Sequence, residues 1–210
     1  MVGSPMNSVD AFIENFRSED DALAAARARA VEVGSNEPTA AVGALSAFFA
    51  ELIDARNVVE ARTGVGLTAL WLLRGLDKDA VLTSIDAEAE HIRLARESLA
   101  EYPTSQIRLI SGDPLELLGR LTDGAYDMVS LRLDARDLAA AIEESHRLLR
   151  AGGILFISNA LGDGKVPDPA QRDEVTIAIR EAGRHLRSDD QRWRTTLIPV
   201  GDGVLVAFRL

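Results

Sequence analysis

The segment Ala61-Arg62-Thr63-Gly64-Val65-Gly66-Leu67-Thr68 joins an apolar run ending at Glu60 to a helical apolar pattern, Ala69, Leu70, Leu72 and Leu73. Glycines at such a junction let a ligand approach the backbone beside a helix N-terminus, where free N–H groups await a partner. Twenty positions beyond Gly66 stands Asp86, at the tip of the next apolar run. A carboxylate there can accept hydrogen bonds from both hydroxyls of a ribose, so loop and acid together describe a nucleoside pocket. Gly64-x-Gly66-x-x-Ala69 with Asp86 also fits the nicotinamide dinucleotide fingerprint. Three features count against that rival: the acid Glu60 where the first strand ends, a 210-residue chain too short for a second mononucleotide half plus a substrate domain, and a closing hairpin described below.

Other chemistry is sparse. The chain has no cysteine, which excludes disulfides, thiolate metal sites and a cysteine nucleophile. His91, His146 and His185 share no metal-ligand spacing and read as surface or capping residues. Lysine and arginine total 23 against 33 aspartates and glutamates, a formal charge of −10 that repels polyphosphates, so nucleic acid is not an expected partner. Apolar stretches are interrupted by charge well before the ~20 residues a membrane span needs, and Met1 to Asp10 lacks the basic and apolar regions of a signal peptide. No membrane association and a cytoplasmic location are expected.

The elements that must position the loop follow from periodicity. Ser8 to Val33 carries helical spacing in two pieces, and Thr39 to Asp54 reads as a further helix burying Val42, Leu45, Phe48, Phe49, Leu52 and Ile53. A strand-then-helix rhythm then repeats: Asn57 to Ala61 into Thr68 to Leu76, Ala80 to Asp86 into Ala89 to Glu101, and Gln106 to Ser111 into Leu115 to Leu121. It continues with Tyr126 to Leu131 into Leu138 to Leu149, and Gly153 to Ser158 into Ala170 to Leu186. Strands that are mostly short apolar runs rather than clean alternations, interleaved with helices, predict an α/β fold with a parallel sheet buried on both faces. Arg194 to Val200 and Val204 to Arg209, joined by Gly201-Asp202-Gly203, predict an antiparallel hairpin that closes the sheet. One domain is expected over residues 1–210, with N-terminal helices over 1–54 and a Rossmann-like core over 55–210. Trp71 belongs to the core in this reading, whereas Trp193 could border a substrate opening.

Val58-Val59-Glu60, the glycine loop, Leu70-Trp71-Leu72-Leu73-Arg74-Gly75, Leu82-Thr83-Ser84-Ile85-Asp86 with Glu90-His91, and Arg147-Leu148-Leu149-Arg150-Ala151-Gly152-Gly153 form a series of landmarks. With Pro38 and Gly43 upstream and Asp168-Pro169, Arg172-Asp173 and Pro199-Val200-Gly201-Asp202-Gly203 downstream, they cover nearly everything after Gly34. The series resembles the catechol-type O-methyltransferase family of class I methyltransferases, and its actinobacterial members most. The resemblance implies a seven-stranded, mostly parallel sheet with an antiparallel last strand, helices on both faces, and S-adenosyl-L-methionine as cofactor. It implies that Glu60 lies near the methionine amino group, Gly64 and Gly66 line the methionine, Thr68 reaches its carboxylate, Asp86 holds the ribose, and Gly112 with Asp113 contacts adenine. A small-molecule hydroxyl would be the methyl acceptor.

The chain departs from the family pattern at specific positions. Arg62 stands where the family has a glycine; either its side chain swings away, or pairs with Glu60 or the cofactor carboxylate, or it obstructs the pocket. The family's metal-dependent branch binds a divalent cation through an aspartate ending the fourth strand and an Asp-Asn pair ending the fifth; here those positions are Arg132, Ser158 and Asn159. A hard cation wants oxygen ligands, so no family-type metal site is expected. Asp134 could supply a displaced ligand but reads better as a loop acid, and the lysine of some relatives is matched by Ala135 beside Arg136, which leaves the general base unassigned. Catalysis would then rest on alignment by Arg132, Asp134 and Asn159, with Arg132 clamping a carboxylate or phenolate acceptor. The alternative is a degenerate methyltransferase fold kept as a non-catalytic scaffold. A homodimer through Val9, Phe12, Ile13 and Phe16 is expected.

Overall fold

The structure, a computed structural model, describes residues 8–210; the expectations placed on residues 1–7 lie outside it. Three helices lead in: α1 (Ser8–Glu14), α2 (Asp21–Val33) and α3 (Ala40–Leu52). Asp20 caps α2 by accepting from Leu23 N at 3.0 Å, and Gly34, at φ 66°, ends it in the left-handed conformation. Then follow β1 (Asn57–Ala61), α4 (Leu67–Gly75), β2 (Val81–Asp86), α5 (Ala89–Ser98), β3 (Ile107–Ser111), α6 (Pro114–Leu118) and β4 (Tyr126–Leu131). The chain closes with α7 (Ala135–Leu148), β5 (Leu149–Ser158), α8 (Glu174–Ser188), β6 (Trp193–Ile198) and β7 (Val204–Arg209).

The strands form one seven-stranded sheet in the order β3-β2-β1-β4-β5-β7-β6. β1 through β5 pair in parallel, whereas β7 runs antiparallel to both β5 and β6. The expected fold class and its antiparallel last strand are present. Successive residues of a strand face opposite sides, and the core divides accordingly. Val58, Leu82, Met128 and Phe156 pack with α2, α3, α4 and α5, while Val59, Ile85, Val129 and Leu155 pack with α6, α7 and α8. Chain direction across the sheet reverses between β1 and β4, which leaves a crevice outside the carboxyl ends of these strands. Gly43 lets α3 lie close against α4, because a Cβ there would strike the indole of Trp71.

Several boundaries differ from those expected. The fifth strand begins at Leu149, because the chain joins the sheet beside Tyr126 and shifts register before Met128. α6 has only five residues, and α8 begins at Glu174 where Asp173 caps it, accepting from Thr176 N at 3.0 Å and Thr176 Oγ1 at 2.8 Å. Residues 170–173 are therefore loop. Trp193 borders no opening: it is 2% exposed and stacks edge-on against His146 with ring centroids 5.3 Å apart.

Candidate functional site

The crevice is built on the loop after β1. Arg62 N and Thr63 N both donate to Ile85 O, at 2.8 and 3.1 Å, which bends the chain across the end of β2. Gly66, at φ 88°, turns the chain into α4, and a Cβ there would press to 3.2 Å from Ala95 Cα of α5. Gly64 N donates to Asp86 Oδ2 at 2.8 Å. The other oxygen of Asp86 accepts from Glu88 N at 2.9 Å and lies 3.2 Å from His91 Nδ1. Asp86 thus fastens the loop, and His91 is its partner rather than a free surface histidine. Gly112 N donates to Asp86 O at 2.9 Å, bringing the end of β3 to the same corner. Asp113 is exposed and caps α6 through Glu116 N at 2.8 Å.

Beneath the loop lies an uncompensated polar cluster. Glu60 is 1% exposed; Ser84 Oγ donates to its Oε2 at 2.5 Å, and Thr63 Oγ1 lies 2.7 Å from Ser84 Oγ. Burial pushes the Glu60 carboxyl up to about 8, against the opposing pull of the Ser84 hydrogen bond and the Arg132 charge. Glu60 Oε1, Thr68 Oγ1 and Arg132 Nε are all buried without a hydrogen-bond partner. Orphaned buried polar atoms are costly, and three of them around one void describe a place where a polar ligand belongs. The void, bounded also by Gly43, Ser46 and Phe156, holds about 10 Å³.

Glu37, which no motif or spacing singled out, occupies the loop's inner side. Its side chain is 1% exposed; Oε1 accepts from Val65 N at 3.1 Å and Ser35 Oγ at 2.9 Å, and Oε2 pairs with Arg132 Nη2 at 2.8 Å. Arg132 also donates to the carbonyl oxygens of Asn36 and Arg62, the latter at 3.3 Å. Its two terminal nitrogens are turned to Glu37 and the loop, so this geometry does not offer Arg132 as a free clamp for an acidic acceptor. Arg62 adopts φ 78°, the left-handed conformation that the family's glycine would favour, and sends its side chain outward to Asp134 at 3.4 Å. Of the readings for Arg62, the outward swing is the one present.

A cleft of about 200 Å³ opens beside this cluster, with Arg62, Asp134, Ser158, Asn159, Lys165 and Asp202 among its walls. Asn159 sits at φ 57° just past β5. Asp202, in the turn before β7, accepts from Asp163 N at 2.7 Å and Gly164 N at 2.9 Å and so holds the segment after β5 over the cleft. Among the described residues no group of three or more His, Cys, Asp or Glu side chains could hold a metal ion, and the residue that follows β4 is a buried cation, Arg132, rather than an oxygen ligand. These residues do not fit the divalent metal of the family. A larger groove of about 430 Å³ between α8 and β6 includes none of the loop residues and lies apart from the crevice.

Comparison with known proteins agrees with this geometry. The sequence profile of the O-methyltransferase family matches residues 22–210. A Mycobacterium tuberculosis protein named "Probable O-methyltransferase Rv1220c" is 46% identical over 204 residues, 96% of this chain and 91% of its own. A crystal structure of a Corynebacterium glutamicum protein superposes with a TM-score of 0.89 at 30% identity, covering 96% of this chain and 95% of that one. The O-methyltransferase TomG of Streptomyces achromogenes, solved with S-adenosylmethionine, gives a TM-score of 0.86 at 27% identity, covering 97% and 96%. A glycine loop at the β1 crevice, an acid ending β2, an antiparallel β7 inserted beside β5, and a profile spanning almost the whole chain together remove the nicotinamide reading: the chain belongs to the O-methyltransferase family.

Proposed function

We propose that the protein transfers a methyl group from S-adenosyl-L-methionine to a hydroxyl of a small molecule, without a divalent metal. The observation that carries this reading is the trio of orphaned buried atoms, Glu60 Oε1, Thr68 Oγ1 and Arg132 Nε, beside a glycine loop fastened to Asp86. Their chemistry fits an amino acid joined to a nucleoside: a carboxylate for an ammonium, a hydroxyl and a cation for a carboxylate, and Asp86 for a ribose. Gly64 and Gly66 would line the methionine, and Gly112 and Asp113, at the corner below Asp86, would border the adenine.

When bound, the cofactor supplies a methyl group already activated on a sulfonium. What remains for the chain is alignment and exclusion of water, which supply much of the barrier reduction in such a displacement. Asn159 orients the acceptor hydroxyl in the 200 Å³ cleft, Asp134 at the rim takes up its proton, and the segment held by Asp202 covers the acceptor. Methyl transfer to a panel of phenolic and carboxylate-bearing acceptors, run with magnesium and with a chelator, tests the reading. Equal turnover under both conditions is expected; turnover that requires the cation contradicts it. The opposing scaffold reading draws on one observation, the Glu37 carboxylate lodged against the loop, and predicts no turnover with any acceptor.

The same reading places the enzyme in the cytoplasm as a single domain, helices 8–54 covering the core, and as a homodimer. Among the described residues no helix is long and apolar enough to cross a membrane. Phe12 of α1 and Phe16 just beyond it are 69% and 76% exposed, and Phe48 and Leu52 of α3, expected to be buried, are 57% and 63% exposed, together an apolar face suited to a second copy.

A further inference from the structure

Glu37 and Arg132 are 95 residues apart in sequence, yet their side chains are 1% and 9% exposed and meet at 2.8 Å against the cofactor loop. A buried ion pair gains little net stability, because desolvating two charges offsets their attraction. Its position is more informative. The carboxylate of Glu37 accepts from a loop N–H, Val65, and from a guanidinium, and it fills the space beside Gly64 so closely that a Cβ on Gly64 would run into it. Those are the partners a carboxylate-bearing ligand would seek at this point. Around it the remaining atoms are unsatisfied: Arg132 Nε, Thr68 Oγ1 and Glu60 Oε1. The void they border, about 10 Å³, has room for about one water molecule and no amino acid. Space for a ligand can come from Glu37, whose loop, residues 34–39 between α2 and α3, lies outside helix and strand and brings Pro38 to the wall of the void.

We propose that Arg132 is the anchor for the α-carboxylate of the cofactor, and that Glu37 is an internal carboxylate holding this anchor until the cofactor displaces it. The proposal rests on the methyltransferase reading and deepens it. The arginine that abolishes the family's metal position then serves the neighbouring cofactor instead. Exchange of one carboxylate for another keeps the guanidinium paired throughout, so the buried cation is never left alone. Glu37 competes with the ligand, and its removal strengthens binding by the inverse of the fraction of anchors it leaves free.

The test is calorimetric titration with two ligands, S-adenosylhomocysteine, which carries the amino-acid carboxylate, and 5′-methylthioadenosine, which lacks it. Expected for Glu37→Gln is S-adenosylhomocysteine bound about 10-fold more tightly than by the wild type, with 5′-methylthioadenosine changed far less. Arg132→Gln should weaken S-adenosylhomocysteine by about 10- to 100-fold and leave 5′-methylthioadenosine nearly unchanged, and Arg132→Lys should recover part of the loss. Should Arg132→Gln fail to fold, Glu37→Gln and Arg132→Lys decide the matter. S-adenosylhomocysteine bound by the wild type but no tighter by Glu37→Gln, or weakened equally with 5′-methylthioadenosine in the Arg132 variants, overturns the anchor alone. Silence of both ligands in every variant overturns the cofactor reading, and the anchor with it.

Discussion

A single carboxyl carries much of the chemistry at the residue scale. Glu60 is held protonated to about 8 by burial, whereas in the unfolded chain it ionises in the ordinary carboxylate range. Between those values the folded protein binds the additional proton, so this group's contribution to stability is full at low pH and is lost as pH rises through about 8. Thermal unfolding across pH 5 to 8 should therefore show a falling contribution from Glu60 that Glu60→Gln removes; parallel profiles for the two proteins would contradict it. An ammonium placed beside Glu60 reverses the effect, since a neighbouring cation favours the carboxylate. Cofactor binding at pH 7 should accordingly release a proton, read as a dependence of the calorimetric heat on the ionisation enthalpy of the buffer.

Arg62 is the second residue with a direct consequence. A non-glycine residue at φ 78° carries about 1 kcal/mol of backbone strain, and its contact with Asp134, half exposed at 3.4 Å, returns well under that. Arg62→Gly should raise the denaturant midpoint by an amount equivalent to about 1 kcal/mol, and a lowered midpoint would show that the ion pair outweighs the strain. That a glycine belongs at this position was legible from the sequence; where the arginine side chain goes was not. Glu37 was invisible for a related reason. Its partners, Val65 and Arg132, are 28 and 95 residues away, and no local spacing encodes them. His91 was visible only as five positions after Asp86, a separation that gains meaning once the chain turns into α5.

At the scale of elements, the strand-and-helix rhythm was readable because β1, β2 and β4 are short, mostly apolar runs buried on both faces. Misreadings fell where a polar residue decided a boundary. Asp173 starts α8 through its bonds to Thr176, and Ala170, Gln171 and Arg172 ahead of it do not join the helix. Trp193, in a polar segment, was expected to border a substrate opening, but strand alternation turns it inward while Arg194 turns out. Contact between α3 and α4 depends on Gly43, whose absent side chain admits the indole of Trp71. Gly43→Ala should destabilise the fold by about 1–3 kcal/mol, measured by chemical denaturation. An unchanged midpoint would show that α3 can shift without loss. Because Pro38 and Thr39 precede α3 directly, the same variant should also disturb the loop that bears Glu37.

For the whole molecule, the sheet order and the place where it reverses bring Glu60, Asp86 and Arg132 from β1, β2 and the end of β4 to one corner, although 72 residues separate the first from the last. Beside α1 and α3 the exposed apolar side chains lie together, with Phe12 and Phe16 6.1 Å apart between ring centroids and a shallow hollow of about 410 Å³ beside Phe48. Sedimentation equilibrium should give a dimer that Phe48→Glu shifts toward monomer; a monomeric wild type would assign that face another role. The central claim remains the cofactor corner, and calorimetric titration with S-adenosylhomocysteine of the wild type and of Asp86→Ala tests it most directly. Saturable binding by the wild type, weakened at least about 10-fold in a folded Asp86→Ala protein, is the predicted result. Binding unaffected by that substitution, or no binding by the wild type, would contradict the assignment of this corner to the nucleoside.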